Sequence, residues 1–268
     1  MGSESCVQIL ARADSGGLLP RLGGMARPNG VVIASDRYWA FATTSGELRE
    51  GTVATAPRWI SCVPFVRGLA QLARAVRPVA VRGGAAGGGE RLFLLAALVG
   101  PLLLLPLLPA ALELPVGLAT GLLLVAWLMR GRTLRLHGAE HRAIAAAERG
   151  LLVTTWTGAA APSRFASRCG TNFAVLTLPV AALLERLWPL AAFPALSTAF
   201  VALLALGATM ELWKAVQHPS GLLRGLLLPG LALQRLTTRE PTLADTRLAL
   251  RATASVLGRE LAHHEATR

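Results

Sequence analysis

Hydrophobic and polar positions divide the chain into two unlike parts. Up to about residue 90 the apolar runs are short and broken by polar residues. "VVIAS" (31–35), "RYWAFATT" (37–44) and "ELREGTVA" (47–54) have the composition of strands, and Ser45-Gly46 supplies a turn between the second and third. They predict a hairpin or a small three-stranded sheet. In "VPFVRGLAQLARAV" (63–76) apolar residues recur at helical spacing around Arg67 and Arg74. That pattern suits a helix on a membrane surface or one packed on a soluble core. "RGGAAGGGER" (82–91) reads as a flexible linker.

Beyond the linker long apolar runs take over. Residues 92–112 carry no charge, and about 20 such residues cross a bilayer as a helix. Pro101, Pro106 and Pro109 would kink this run. A second run covers 114–130, with Gly117 and Gly121 at the small-xxx-small spacing that lets helices approach closely. The third is 172–184, extendable to Trp188, and the fourth 190–213. The shorter stretch 221–236 holds Arg224 and reads as interfacial or re-entrant. Residues 241–264 predict an amphipathic helix, capped by Thr242 with Asp245 at the box position.

Charge adds an orientation. The net charge is +12, carried by arginine apart from Lys214. Arginines crowd 58–91 and 130–168 and return after 213, whereas the two segments between hold few. Under the positive-inside rule this alternation gives four spans with both termini in the cytoplasm. The expected fold is therefore a predominantly α-helical polytopic membrane protein with a small N-terminal β element and cytoplasmic helices. Its expected parts are a cytoplasmic N-terminal region (1–81), the linker (82–91), a transmembrane hairpin (92–130), a cytoplasmic loop and helix (131–171), a second hairpin (172–213), the interfacial segment (214–240) and a C-terminal cytoplasmic helix (241–268). Expected partners are membrane lipids, with a cytosolic partner or a second copy of the chain. Nucleic acid is not expected, because basic and aromatic residues do not interleave. Three cysteines at unrelated spacings suggest no disulfide framework.

The chemistry concentrates in "RLHGAEHRAI". His137, Glu140 and His141 stand at i, i+3 and i+4, on one face of a helix. Two imidazoles four residues apart chelate zinc in helix-borne sites, and the H-x-x-E-H order supplies a glutamate able to act as general base on water. "RAIAAAERG" is a strong helix former that ends at Gly150, a natural C-cap, so the triplet is expected to open a helix of about three turns. The alternative is a pair of surface histidines bonded to a carboxylate. A metal site needs a third protein ligand. The candidates are Glu211, at the end of the fourth run and also placed to pair with Lys214, Cys169 in "SRCGTNF", and His218. Ligands of one zinc would converge to within about 4–5 Å of each other.

"LHGAEHRAIAAAERG", "SRCGTNF", "PFVRGLAQL" and "PGLALQRLTTREPT" together resemble the YqhQ family of bacterial membrane proteins, from about Gly16 to Leu257. That family carries a domain of unknown function and is described as metal-dependent. The resemblance implies a divalent metal, zinc foremost, and points at His137, Glu140, His141, Arg168, Cys169, Glu211 and the segment 234–241. The chain departs from the pattern at Leu18 and Leu22, where the family has Gln and Glu, and at Ala166, where it has His. Two functions follow. One is a metal-dependent hydrolase at the cytoplasmic membrane face, with Glu140 catalytic and His137, His141, Glu211 and Cys169 as ligands. The other is a non-catalytic membrane scaffold in which the histidine motif is structural.

Overall fold

The computed structural model describes residues 3–16, 19–53, 57–104, 107–187, 194–217 and 222–267. Its centre is a four-stranded antiparallel meander, β1 (Gly23–Arg27), β2 (Gly30–Ala34), β3 (Tyr38–Thr43) and β4 (Leu48–Thr52), paired in sequence order. The three strands read from the pattern are β2, β3 and β4. The first, "GGMAR", has two glycines and no β-branched residue, so composition hides it; it forms by pairing Gly24 with Ile33 and Met25 with Val32.

Both faces of the sheet are covered, and strand alternation sorts the residues between them. Val31, Ile33, Ala40 and Ala42 face a core built with α1 (Ser3–Ser15), α6 (Thr133–Arg149), α7 (Leu152–Thr157) and α11 (Leu243–Ala266). Val32, Trp39 and Phe41 face the other way, onto Val79, Ala85 and Ala86. Ala40, Ala42, Ala249, Ala252 and Ala254 are almost wholly buried, and their small side chains let α11 lie close on the sheet. Residues 241–264 thus form a central core helix. Its start is the expected capping box: the Thr242 hydroxyl accepts from the Asp245 amide, and the Asp245 carboxylate accepts from the Thr242 amide.

The glycine-rich stretch is packed under the sheet. The Ala85 amide donates to the Pro78 carbonyl, closing the end of α3 (Val66–Ala80), and Arg49 donates to the Gly84 carbonyl. Arg27 of β1 is buried and pairs with Glu90 at the start of α4 (Gly88–Leu104). A short helix, α2 (Arg58–Cys62), precedes α3.

Of the four expected spans, only the fourth run keeps a helix of spanning length among the described residues. Among the described residues one helical stretch, Ala199–Val216 in α9 (Pro194–Val216), is long and apolar enough to cross a membrane, and a four-span polytopic architecture is overturned. The first apolar run breaks: α4 spends its first turn on Gly88, Gly89, Glu90 and Arg91, ends at Leu104, and α5 (Ala110–Leu128) begins anew after Pro109. The third run becomes α8 (Gly170–Leu187), whose ends hold Thr171 and Asn172, then Glu185 and Arg186. With the spans go the support for a multi-pass location and for cytoplasmic termini. The stretch 221–236 becomes a 3-10 turn (Leu222–Leu227) and α10 (Leu228–Thr237), which packs on α8.

Candidate metal centre

The motif lies in the middle of α6, two turns before the helix ends at Gly150 in a left-handed C-cap (φ 63°). Four residues apart, the His137 and His141 rings meet edge to face with centroids 4.5 Å apart. Each ring is oriented by a backbone carbonyl. His137 Nδ1 lies 2.8 Å from the Thr237 oxygen, and His141 Nδ1 lies 2.6 Å from the Arg164 oxygen. A carbonyl only accepts, so each Nδ1 carries the hydrogen and each Nε2 presents a lone pair. That is the arrangement that fixes tautomer and ring direction in metal-ligating histidines.

Cys169 completes the group. Its Sγ stands 3.2 Å from His137 Nε2, and one ligand atom from each of His137, His141 and Cys169 lies within 4.8 Å of the others. Cys169 sits at the N-terminal end of α8, where its carbonyl accepts from the Asn172 and Phe173 amides. The Thr171 hydroxyl, at 3.1 Å, and amide, at 3.4 Å, both donate to the sulfur. Burial pushes the thiol up to about 11, and the Thr171 donors oppose it. Burial also holds both histidines below their ordinary range, His141 down to about 4 with help from the neighbouring His137 charge. Both imidazoles are therefore neutral at pH 7, the form that ligates.

Glu140 turns to the sheet. Its carboxylate is 5% exposed, accepts from the Ala26 amide of β1, and is pushed by burial up to about 8. Gly24 makes room for it: a Cβ there would lie 2.7 Å from Glu140 Cγ. The expected convergence of the three side chains is thus divided, with two histidines meeting the cysteine and the glutamate meeting β1. Its charge still reaches Cys169, where it raises the thiol further.

Glu211 is elsewhere engaged. Arg67 of α3 donates to both its oxygens, at 2.8 and 2.5 Å, and Lys214 adds a contact at 3.5 Å. It joins α3 to α9 and is not in the three-residue group. His218 and Leu18 lie outside the described residues. Leu22 is buried in the α6 core, so the position where the resemblance expects a carboxylate is filled by an apolar side chain.

The segment 234–241 is a strap over the site, and its residues hold the loop that carries Arg164 and Cys169. Gln234, fully buried, donates to the Ala166 carbonyl at 2.7 Å and accepts from the Ala166 amide at 2.9 Å. Asn172 donates to the Ala166 and Ser167 carbonyls from the other side. Thr237 supplies the carbonyl for His137; the Arg239 amide donates to the Leu134 carbonyl; Glu240 pairs with Arg142. Gly138 allows this approach, since a Cβ there would lie 2.3 Å from the Arg239 oxygen. Sequence reasoning missed the Thr237 and Arg164 carbonyls because any residue type offers one. It passed over Asn172, whose place three residues after Cys169 was the available signal.

A family model described as "Protein of unknown function (DUF1385)" matches residues 120–259. The match takes in α6, Cys169 and the strap. No curated protein and no solved structure matches the chain.

Proposed function

The chain belongs to the DUF1385 family, which carries no assigned activity, and from that premise we propose a metal-dependent hydrolase centred on His137, His141 and Cys169. One observation carries this reading: three ligand atoms converge while both Nδ1 hydrogens are already committed to carbonyls. Two nitrogens and one sulfur suit zinc, and three protein ligands instead of four are the count of catalytic sites. A bound zinc would supply Lewis acidity to a polarised carbonyl or phosphoryl oxygen. The chain's residues do the rest. His137 and His141 stay neutral and fixed in direction. Glu140 holds and releases a proton at its carboxylate beside the Ala26 amide. The strap keeps Cys169 and the Arg164 carbonyl in register.

The test is elemental analysis of purified protein, followed by cobalt substitution read by absorbance. About one metal per chain is expected, lost in His137→Ala, His141→Ala and Cys169→Ala, with a sulfur-to-cobalt band that vanishes in the last. Metal content unchanged in all three variants would sink the proposal. Glu140→Gln should keep the metal and lose turnover of ester, amide or phosphoester probes.

A second reading, a non-catalytic scaffold, draws on Leu22, which puts an apolar side chain into the core beside α6. It expects Glu140→Gln to reduce cellular function only as far as it reduces stability. In either reading we propose that the partner is a lipid surface. What supports it is that Leu92 and Leu95 on α4 and Leu122, Leu123 and Val125 on α5 are large exposed apolar side chains, with Arg130 over the Trp127 ring after the end of α5. Flotation with vesicles tests it, and protein remaining at the bottom of the gradient argues against it.

A further inference from the structure

We propose that the cleft between residues 19–22 and the end of α6 binds a phosphorylated organic molecule through Arg21, Arg149 and Arg168. The cleft holds about 460 Å³, within the range of small-molecule sites. It is separate from the three-ligand group and does not depend on a metal.

Three arginines line the cleft. Asp14 and Glu148 also line the cleft, and both already have hydrogen-bond or ion-pair partners. Asp14 accepts from the Leu152 and Val153 amides at the start of α7, and Glu148 pairs with Arg168. Arg21 and Arg149 have no ion-pair partner among the described residues. Arg21, Arg149 and Arg168 against Asp14 and Glu148 leave the cleft a net charge of +1 with two guanidinium groups outside any ion pair, and a phosphate monoester carries a charge of roughly −1.5 to −2 at pH 7. Like charges crowd there, since Arg21, Arg149 and Arg168 all line the one cleft. A dianion between them relieves this, and guanidinium forks match phosphate oxygens in pairs. The remaining wall, Ala13, Leu19, Pro20 and Leu22, is apolar and gives an organic substituent its place. A bare inorganic anion would leave that wall unused.

The position matters for the centre next door. Arg168 is bonded to Cys169, and Leu22 stands two residues before Gly24, which touches Glu140. A ligand in the cleft therefore lies along the two chain segments that frame the centre.

Two probes distinguish a soluble ligand from a lipid headgroup. sn-Glycerol 3-phosphate is titrated calorimetrically into the intact chain, with glycerol as control. Phosphatidic acid in phosphatidylcholine vesicles is tested by flotation, with pure phosphatidylcholine as control. Binding of the first alone assigns a soluble phosphate ester, and binding of the second alone assigns a lipid headgroup. In either case Arg21→Gln and Arg149→Gln should each weaken binding at least about tenfold, the worth of a charged hydrogen bond. Glu148→Gln should tighten it, because Arg168 is released, and an unfolded variant cannot gain affinity. Chelator-treated protein should bind equally well, so loss of the metal reading leaves this one standing. Binding of neither phosphate probe, or binding indifferent to both arginine substitutions, overturns the proposal.

Discussion

Replacing Gln234 by Leu tests whether the strap organises the centre. The substitution keeps the side-chain volume and removes both hydrogen bonds to Ala166, at 2.7 and 2.9 Å. The Ala166 carbonyl keeps its Asn172 partner at 3.1 Å. The Ala166 amide keeps none, and an unpaired donor in this packed setting costs about 1–3 kcal/mol, beside about 1 kcal/mol for the other bond. The sum, about 2–4 kcal/mol, corresponds to a fall in melting temperature of about 4–16 °C for a chain of this size. The loop that loosens also carries the Arg164 carbonyl and Cys169, so zinc affinity measured by chelator competition should fall about 10–100-fold, as for other lost orienting contacts. Arg235→Leu, on the exposed face of the same helix, is the control and should stay within about 0.5 kcal/mol. A Gln234→Leu protein that melts with the wild type and holds zinc as tightly refutes the reasoning.

Gly138→Ala puts a methyl group 2.3 Å from the Arg239 oxygen, and the strap must move off α6. A loss of about 1–3 kcal/mol is expected in urea denaturation, and an unchanged midpoint would contradict the close approach. In the metal-free protein His141 is neutral down to about 4, whereas an unfolded histidine protonates near 6.5. The unfolded state then binds more protons, so this stability is full above about pH 6.5 and lost as the pH falls through 4, up to about 3 kcal/mol. Denaturation of His141→Gln against wild type isolates it, and parallel pH profiles would rule it out. Glu140 has the opposite sense. Its folded value near 8 exceeds the unfolded one near 4.5, so its contribution is full below 4.5 and lost as the pH rises through 8. Glu140→Gln should therefore gain on wild type steadily across that window, and a constant difference between the two would count against burial as the cause.

Local signals carried the parts of the fold that local physics decides. Strands β2 and β3 are rich in aromatic and β-branched residues, and β4 follows the Ser45-Gly46 turn; α6 ends at Gly150; Thr242 and Asp245 cap α11. Each is set within a few residues. The spans failed because apolar content does not fix helix length. Pro109 restarts a helix within the first run, and Asn172 at the head of the third run is spent on the loop beside Cys169. Glu211 looked like a ligand because carboxylates near apolar runs are costly, yet the physical answer is Arg67, more than a hundred residues away in sequence and unreadable by spacing. Cys169 was a sound candidate for its chemistry, and α8 brings it to His137.

The five residues of HGAEH are therefore a junction as much as a ligand pair. His137 meets Cys169 and the strap, and Gly138 lets the strap approach. Ala139 is fully buried in the core, Glu140 meets β1, and His141 meets the Arg164 carbonyl. Helical geometry requires this division, because five consecutive residues point around more than one full turn. A motif satisfied on every side is fixed by the fold before any ion arrives. Its histidines are aimed by Thr237 and Arg164, which belong to separate segments. The strap and the Cys169 loop must both close on α6 for the two Nε2 atoms to share a target. Metal affinity and folding stability should consequently fall together for strap variants, and separately only for substitutions of the three ligand atoms themselves.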